Sequence, residues 1–560
     1  MSGLDIVIRG GLVVDGTGAD GYVADLGIAG GKIAEIGKIA AKGTREIDAE
    51  GLAVTPGFID GHTHMDAQVN WDPIGRNSCW HGVTSVVMGN CGFSVAPVRK
   101  GQQALVARNL ERAEDISGPA MNAGMDWSWE TFDQYLDKVD GLPKGINYSA
   151  YVGHSALRTY VMGERAFEEE ASEDDLAAMK AELNRALDAG ALGVSTSRSF
   201  AHETSDDRPV ASRLASREEV TELVMEMKGR KDAVFELAHE IFMPGTEGAD
   251  DYFGWLREMT VNSGVTTTFG LLGHTWKQQL ADVDATMAAG GTMVGQTHSR
   301  GVSVVSSLRS TTPFDRLPVW SEFRKQPHEV QLAGLKDPAT RDALVNAVRE
   351  GKYNRAIGAE APPPDWNKFF IFDKPLPPWR TLAEVSAETG KHPAEIVIDL
   401  SIASDLAAMF MQPLTWANDE DTVAVMRHPQ CVMTFSDSGA HVSQIADSSI
   451  HTHLLGYFCR EKQLLSLPEA IEMITSRAAR AWGFAGRGVL RQGAVADINI
   501  FDPATIAPLM PEVVHDLPTG ARRLSQRSVG IKATLVSGEV LIENGEHTGA
   551  LPGRLLRRAN

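Results

Sequence analysis

The chain has little cysteine, no long apolar run and no excess of positive charge, and each shortage narrows what it can be. Four cysteines in 560 residues, Cys79, Cys91, Cys431 and Cys459, are too few and too widely spaced for a disulfide framework. No stretch approaches the roughly 18 consecutive apolar residues needed to span a bilayer. Charge interrupts the opening Leu4-Asp5-Ile6-Val7-Ile8-Arg9 at once, so it reads as a strand and not as the core of a signal peptide. Lys and Arg number 53 against 73 Asp and Glu, a net charge of −20, which argues against nucleic acid and anionic membrane surfaces as partners. The expectation is a cytoplasmic protein acting on a small molecule, with homo-oligomers open. The composition, 43% hydrophobic and 22% charged, is that of an ordinary globular protein.

Both ends of the chain alternate apolar and polar residues between glycine turns: 5–9, 12–15, 24–28 and 32–37 at the start, 496–502 and 533–542 near the end. Residues 1–55 and 486–545 are therefore expected to close into one small flanking β-sandwich domain, with 546–560 as a tail. Between them, short apolar runs alternate with helical stretches, the pattern of a parallel sheet. Candidate strands are 58–62, 83–88, 149–152, 192–195, 234–237, 266–271, 292–295 and 432–435. Eight such strands predict an α/β fold, a (β/α)8 TIM barrel over 56–485. Ser172 followed by Glu173-Asp174-Asp175 predicts a capped helix start. From 301 to 429 the spacing breaks, and this proline-bearing insertion is expected to cover the barrel face as a lid.

The run Pro56-Gly57-Phe58-Ile59-Asp60-Gly61-His62-Thr63-His64 ends an apolar strand in two histidines one residue apart. Alternate strand residues share a face, so the two imidazoles converge and supply half a metal site. If the strands are right, other candidates also fall at strand ends, where barrel active sites form. Cys91 follows the second strand, His239 the fifth, His274 the sixth, and Asp437 ends the eighth. Singly, each has a plain structural reading, as a buried thiol, a core histidine or a helix cap. Imidazole, thiolate and carboxylate together suit zinc better than magnesium or calcium.

The stretches 57–64, Gly89-Asn90-Cys91-Gly92, Gly153-His154-Ser155-Ala156-Leu157-Arg158, Ser436-Asp437-Ser438-Gly439-Ala440-His441, Gly493-Ala494-Val495-Ala496-Asp497 and Gly549-Ala550-Leu551-Pro552-Gly553-Arg554 carry a resemblance. The sequence is similar to the amidohydrolase superfamily, within it to the N-acyl-D-amino-acid deacylase (D-aminoacylase) group. Many relatives bridge two metals with a carboxylated lysine on the fourth strand; here that region is Gly193-Val194-Ser195-Thr196-Ser197. The resemblance implies a zinc-dependent hydrolase of C–N amide bonds. Cys91, His239 and His274 would hold a tight zinc, and His62, His64 and Asp437 a second, weaker position. Zinc would lower the pKa of a water towards about 7, and Asp437 would act as general base and then acid. Relatives place basic residues after the fifth- and sixth-strand histidines to meet a substrate carboxylate. Here Glu240-Ile241 and Thr275-Trp276 stand there. Arg158 and Arg300 are the replacement candidates, because guanidinium pairs with carboxylate, with His154 and His298 as further substrate contacts. Trp276, Trp366 and Trp379 are candidates for an apolar substrate pocket. Hydrolysis of a cyclic amide, a lactone or a bulky amide at the same site, and a non-catalytic scaffold role, stand as alternatives.

Overall fold

The computed structural model describes residues 3–240, 246–271, 273, 275–358, 360–415 and 418–559. At its centre are eight parallel strands, Phe58–Asp60, Val83–Met88, Asn147–Gly153, Gly193–Ser197, Val234–Ala238, Thr266–Gly270, Met293–Thr297 and Cys431–Met433, each bonded to the next in chain order. The sheet closes just beyond these bounds. His62–Thr63 extends the first strand, Phe435–Ser438 extends the last, and the two extensions pair in parallel with His62 opposite Phe435. The closing pair is thus also the pair that carries the histidines and Asp437. Helices cover the outside; Val83–Met88 is accordingly buried on both faces, as parallel strands are. The helix Glu173–Asp188 begins at Ser172, which forms a capping box with Asp175.

An apolar plug blocks one end of the barrel. Ile59, Val87, Tyr151, Val234, Val294 and Val432 pack with Trp482 and Phe484. The Trp482 indole donates to the Tyr151 hydroxyl at 2.6 Å. Any side chain at Gly61 would lie 2.1 Å from the Trp482 ring, so the residue before His62 must be glycine. The polar residues stand at the other end, the C-terminal ends of the strands.

The terminal segments pair with each other in one hydrogen-bonded nine-stranded sheet. Leu4–Val13 is bulged between Ile8 and Gly11, and Gly10 takes a φ of 63°. The first half of this strand pairs with Gly43–Asp48 and its end with Ala53–Pro56, so one strand serves two neighbours on one edge. Ile6, Ile8, Leu26, Ile28, Ile498, Ile500 and Leu535 then share a single core cluster. Beyond this sheet the chain returns to the barrel. Tyr148 donates its backbone N–H to Arg554, and the Arg558 guanidinium bonds the carbonyls of Leu187 and Ala191.

Much of the 301–429 region is a lobe with its own core. Ser303–Ser307, Met409–Pro413 and Phe370–Ile371 form an antiparallel sheet. Leu308, Phe314, Trp320, Leu344, Val397 and Phe410 pack beside it.

Candidate metal centre

His62, His64 and Cys91 come together at the open end of the barrel, with one potential ligand atom of each within 4.8 Å of the others. All three are buried. Cys91 reaches the histidines through its turn. Gly89 and Gly92 have φ of 83° and 80°, and Cys91 itself sits at 56°. That strained conformation is held by bonds from below: Glu236 accepts the Cys91 backbone N–H at 2.6 Å, and Ser195 accepts that of Gly92 at 3.0 Å while donating to the Gly89 carbonyl. The small fourth-strand residue thereby pins the loop that carries the thiol.

Cys91 Sγ lies 3.3 Å from His62 Nε2. Asp437 Oδ1 lies 3.3 Å from the same nitrogen and 3.5 Å from His64 Nε2. Around a tetrahedral zinc, with bonds of about 2.0–2.3 Å, neighbouring donors stand roughly 3.3–3.6 Å apart, so these spacings fit. The tautomer of His62 fits as well. Its Nδ1–H donates to Gln296 Oε1 at 2.7 Å, an assignment made from the hydrogen-bond network, and this leaves Nε2 with its lone pair facing Cys91 and Asp437. Both ring nitrogens of His64 lack hydrogen-bond partners despite burial.

The electrostatics call for a cation. Glu114, Glu236 and Asp437 are buried around the cluster, and among the described residues their ion-pair partners are histidines only. Burial pushes Glu236 up to about 8. Burial, followed by the nearby carboxylates, also lifts the Cys91 thiol well above its ordinary value, so a thiolate there needs a positive partner. Burial lowers His62 to about 3, which keeps it neutral and able to donate its lone pair. At His64 burial acts the same way but is outweighed by the charges of Glu114 and Asp437, which raise it to about 9. For Asp437, burial is outweighed by the close approach of His64, whose own pKa is raised, so the carboxyl is held below the usual range and is ionised. Its side chain is also the most accessible of this group, 11% exposed against 2% for each histidine.

Not every expected residue joins this group. His239 makes other contacts: Nδ1–H donates to the Glu240 carbonyl at 2.5 Å, and Gln279 Nε2 donates to its Nε2 at 2.6 Å. Among the described residues the structure groups Cys91 with His62 and His64, and His274 lies outside the described residues. His154 and Arg158 are corrected more sharply. Arg158 is fully buried and bonds Glu219 through Nη1 at 2.5 and 2.6 Å and the Glu169 carbonyl through Nη2. His154 lies 2.8 Å from Glu219 through Nε2 and 2.8 Å from Thr196 Oγ1 through Nδ1. Both are tied into a buried knot behind the barrel wall and have no face for a substrate. The three tryptophans do not share a pocket either. Trp366 packs on Phe369 and Trp379 on Phe372, whereas Trp276 lines a small cavity of about 40 Å³ with Leu271 and His298.

His298 does stand near the centre, with Phe435 between it and His62. Neither of its ring nitrogens has a hydrogen-bond partner, although Asp447 lies 3.4 Å away. Asp447 also holds Arg300, at 2.5 Å. The Arg300 Nη1 is buried without a partner. Sequence reasoning missed Gln296, Glu236, Glu114 and His441. Glu236 sits on an expected strand and Gln296 one residue past another, and only strand alternation could have flagged them. Glu240, directly after His239, pairs with Arg198 at 2.6 Å.

The chain matches the model of the Amidohydrolase family over residues 45–316 and 371–542, and the gap falls inside the inserted lobe. It is 28% identical to a D-aminoacylase of Alcaligenes xylosoxydans xylosoxydans, over 99% of this chain and 98% of that protein. It is 29% identical to an N-acyl-D-aspartate deacylase of the same organism, over 99% and 95%. A solved D-aminoacylase with a binuclear metal centre superposes with a TM-score of 0.65 at 25% identity, covering 99% of this chain and 100% of that one.

Proposed function

Because this chain belongs to the amidohydrolase family, we propose that it hydrolyses the amide bond of an N-acyl amino acid, of the D series, or of a closely related small-molecule amide. The observation that carries this reading is the contact of Cys91 Sγ, His62 Nε2 and Asp437 Oδ1 at the open end of the barrel, each 3.3 Å from the next. These residues, with His64, would hold a zinc ion, and their donor set and spacing fit it. His239 and His274 are proposed as further ligands in the loaded enzyme. When bound, the cation supplies Lewis acidity that polarises the scissile carbonyl and acidifies water.

The chain's own residues supply the rest. Asp437, ionised and the most open of the group, takes the proton from the attacking water at a carboxylate oxygen and returns it to the leaving nitrogen. Gln296 fixes the orientation of His62, and Glu236 and Ser195 hold the Cys91 turn in place. His298 meets the polar end of the substrate, with Arg300 behind it through Asp447, in place of the basic residues that relatives carry after their strand-end histidines. In the inserted lobe, Glu360 pairs with Arg112 at 2.9 Å, and Ala361 donates its N–H to Gln444 at 3.2 Å. These contacts support a covering role for the 301–429 insertion. The relatives' names support the D-amino-acid substrate class. The acidic charge and four free cysteines favour a cytoplasmic enzyme.

A mass-spectrometric screen of the zinc-loaded protein against N-acyl-D- and N-acyl-L-amino acids, carboxyl-blocked analogues and aromatic amides tests this. Cleavage confined to free-carboxylate D substrates is expected. Cleavage of blocked or bulky amides alone would overturn the substrate class and favour the neutral-amide reading.

A further inference from the structure

The loop that follows the fourth barrel strand carries a histidine that the mechanism above does not use. That strand, Gly193–Ser197, ends in Ser197, whose Oγ lies 2.7 Å from Nδ1 of His202. Ser197 is fully buried, and its Oγ already accepts the Ser199 backbone N–H at 3.2 Å. Among the described residues only His202 Nδ1 is placed to take the hydroxyl hydrogen, and a buried hydroxyl hydrogen left unpaired is costly. The hydrogen-bond network therefore assigns Ser197 as donor to Nδ1 and puts the ring proton on Nε2. Among the described residues nothing hydrogen-bonds that Nε2–H. Burial, followed by the charges of His441 and His64, lowers the pKa of His202 to about 3, so the ring is neutral and holds one proton.

The ring is held in place from several sides. The His202 backbone N–H donates to the Ser199 carbonyl at 3.1 Å, and Arg213 Nη1 donates to the His202 carbonyl at 3.0 Å. The adjoining Glu203 pairs with Arg355 of the inserted lobe at 2.7 Å. The imidazole packs on Phe93 with ring centroids 5.2 Å apart, and Phe93 in turn lies 6.4 Å from the His64 ring. Phe93 directly follows the turn that carries Cys91, so one phenylalanine links His202 to the metal centre. Eight strands bonded in chain order place the fourth across the barrel from the eighth, whose extension carries Asp437.

We infer that His202 is a catalytic residue: its Nε2–H donates to the acyl carbonyl oxygen of the substrate and stabilises the negative charge that develops there. The inference rests on the reading that this centre hydrolyses an N-acyl amino acid. As the water oxygen bonds to the acyl carbon, the carbonyl π pair moves onto its oxygen and a water proton passes to Asp437. As the C–N bond breaks, that pair re-forms the carbonyl and Asp437 returns the proton to the leaving nitrogen. His202 keeps its own proton through both steps. A donor fixed before the reaction needs no reorganisation to meet the charge. Asp437 and His202 thus bracket the scissile group from opposite sides of the mouth.

The zinc-loaded full-length protein tests this with the N-acyl amino acid it cleaves fastest and a matching phosphinate analogue of the tetrahedral intermediate, whose binding is measured by calorimetry. Glutamine can place an amide N–H near the position of the imidazole Nε2–H, whereas asparagine is one carbon too short. His202→Asn should lower kcat by about 10²–10³-fold, the loss typical of one oxyanion donor, with KM within about threefold of wild type. Its affinity for the analogue should fall by the same factor as kcat/KM, at unchanged zinc content. His202→Gln should recover at least about tenfold of that kcat loss. Equal kcat and analogue affinity in the two variants, whether high or low, would overturn the assignment, as would a rise in KM at unchanged kcat. Loss of zinc from both would make His202 a structural support and overturn it as well. A wild type that cleaves no N-acyl amino acid would instead overturn the reading beneath it.

Discussion

Replacing Glu219 with leucine should destabilise the protein strongly while leaving substrate affinity alone. Glu219 lies in the first turn of the helix Arg217–Met225 and is 4% exposed. It accepts from His154 Nε2 at 2.8 Å and from Arg158 Nη1 at 2.6 Å. Burial by itself raises its pKa, but the hydrogen bond and charge of His154 and the charge of Arg158 outweigh that and lower it from 4.5 to about 2. At about 1.4 kcal/mol per tenfold change, the depression is worth about 3 kcal/mol. Removing one partner of a buried ion pair costs about 3–5 kcal/mol, because the other charge is left alone, and the two figures agree. The sign follows from the depressed folded-state value. This stabilisation is complete above pH 4.5 and is lost as the pH falls from there towards 2, where the folded-state carboxylate is also protonated. Urea unfolding followed by tryptophan fluorescence, together with inactivation half-lives because a chain of this length need not refold reversibly, would measure the effect. Glu219→Leu and Arg158→Leu should each lose about 3–5 kcal/mol, and the double variant less than their sum. KM should stay within twofold of wild type in whatever folded fraction remains. Single losses below about 1 kcal/mol that simply add would refute the buried-pair argument. A tenfold rise in KM at unchanged stability would return Arg158 to the substrate site.

Three further outcomes are expected. Cys91→Ala should weaken zinc binding by more than the roughly 10–100-fold lost when a merely supporting group is removed, measured as metal content after dialysis; a stoichiometric zinc-bound variant would exclude the thiol as a ligand. Asp437→Asn should keep the fold and most of the metal but lower kcat by about 10²–10⁴-fold, and near-normal turnover would remove Asp437 as the base. Gly439→Ala should cost at least about 1–3 kcal/mol in thermal unfolding and disturb the centre, since Gly439 holds a φ of 94° and a methyl group there would lie 2.6 Å from the His64 carbonyl; a fully active, equally stable variant would contradict the placement of that turn.

The sequence made the barrel legible because parallel strands buried on both faces are continuous apolar runs, and all eight expected runs overlap observed strands. It also made legible those site residues that strand geometry dictates: His62 and His64 by alternation, Asp437 by its place at a strand end. The rest depended on contacts distant in sequence. Nothing in Glu111-Arg112-Ala113-Glu114 distinguishes Glu114 from an ordinary solvated acid; only the fold carries it to His64. Arg158 misled for the converse reason. Its guanidinium suits a carboxylate, and it has one, but the carboxylate is Glu219, 61 residues along the chain.

The most direct test of the account is amidase activity through one cycle of metal removal and return. The zinc-loaded protein should cleave an N-acyl amino acid, lose that activity as a chelator strips the bound ion, and regain it in proportion to the zinc restored at Cys91, His62, His64 and Asp437. Cleavage that persists unchanged after the metal has been removed would contradict the central claim.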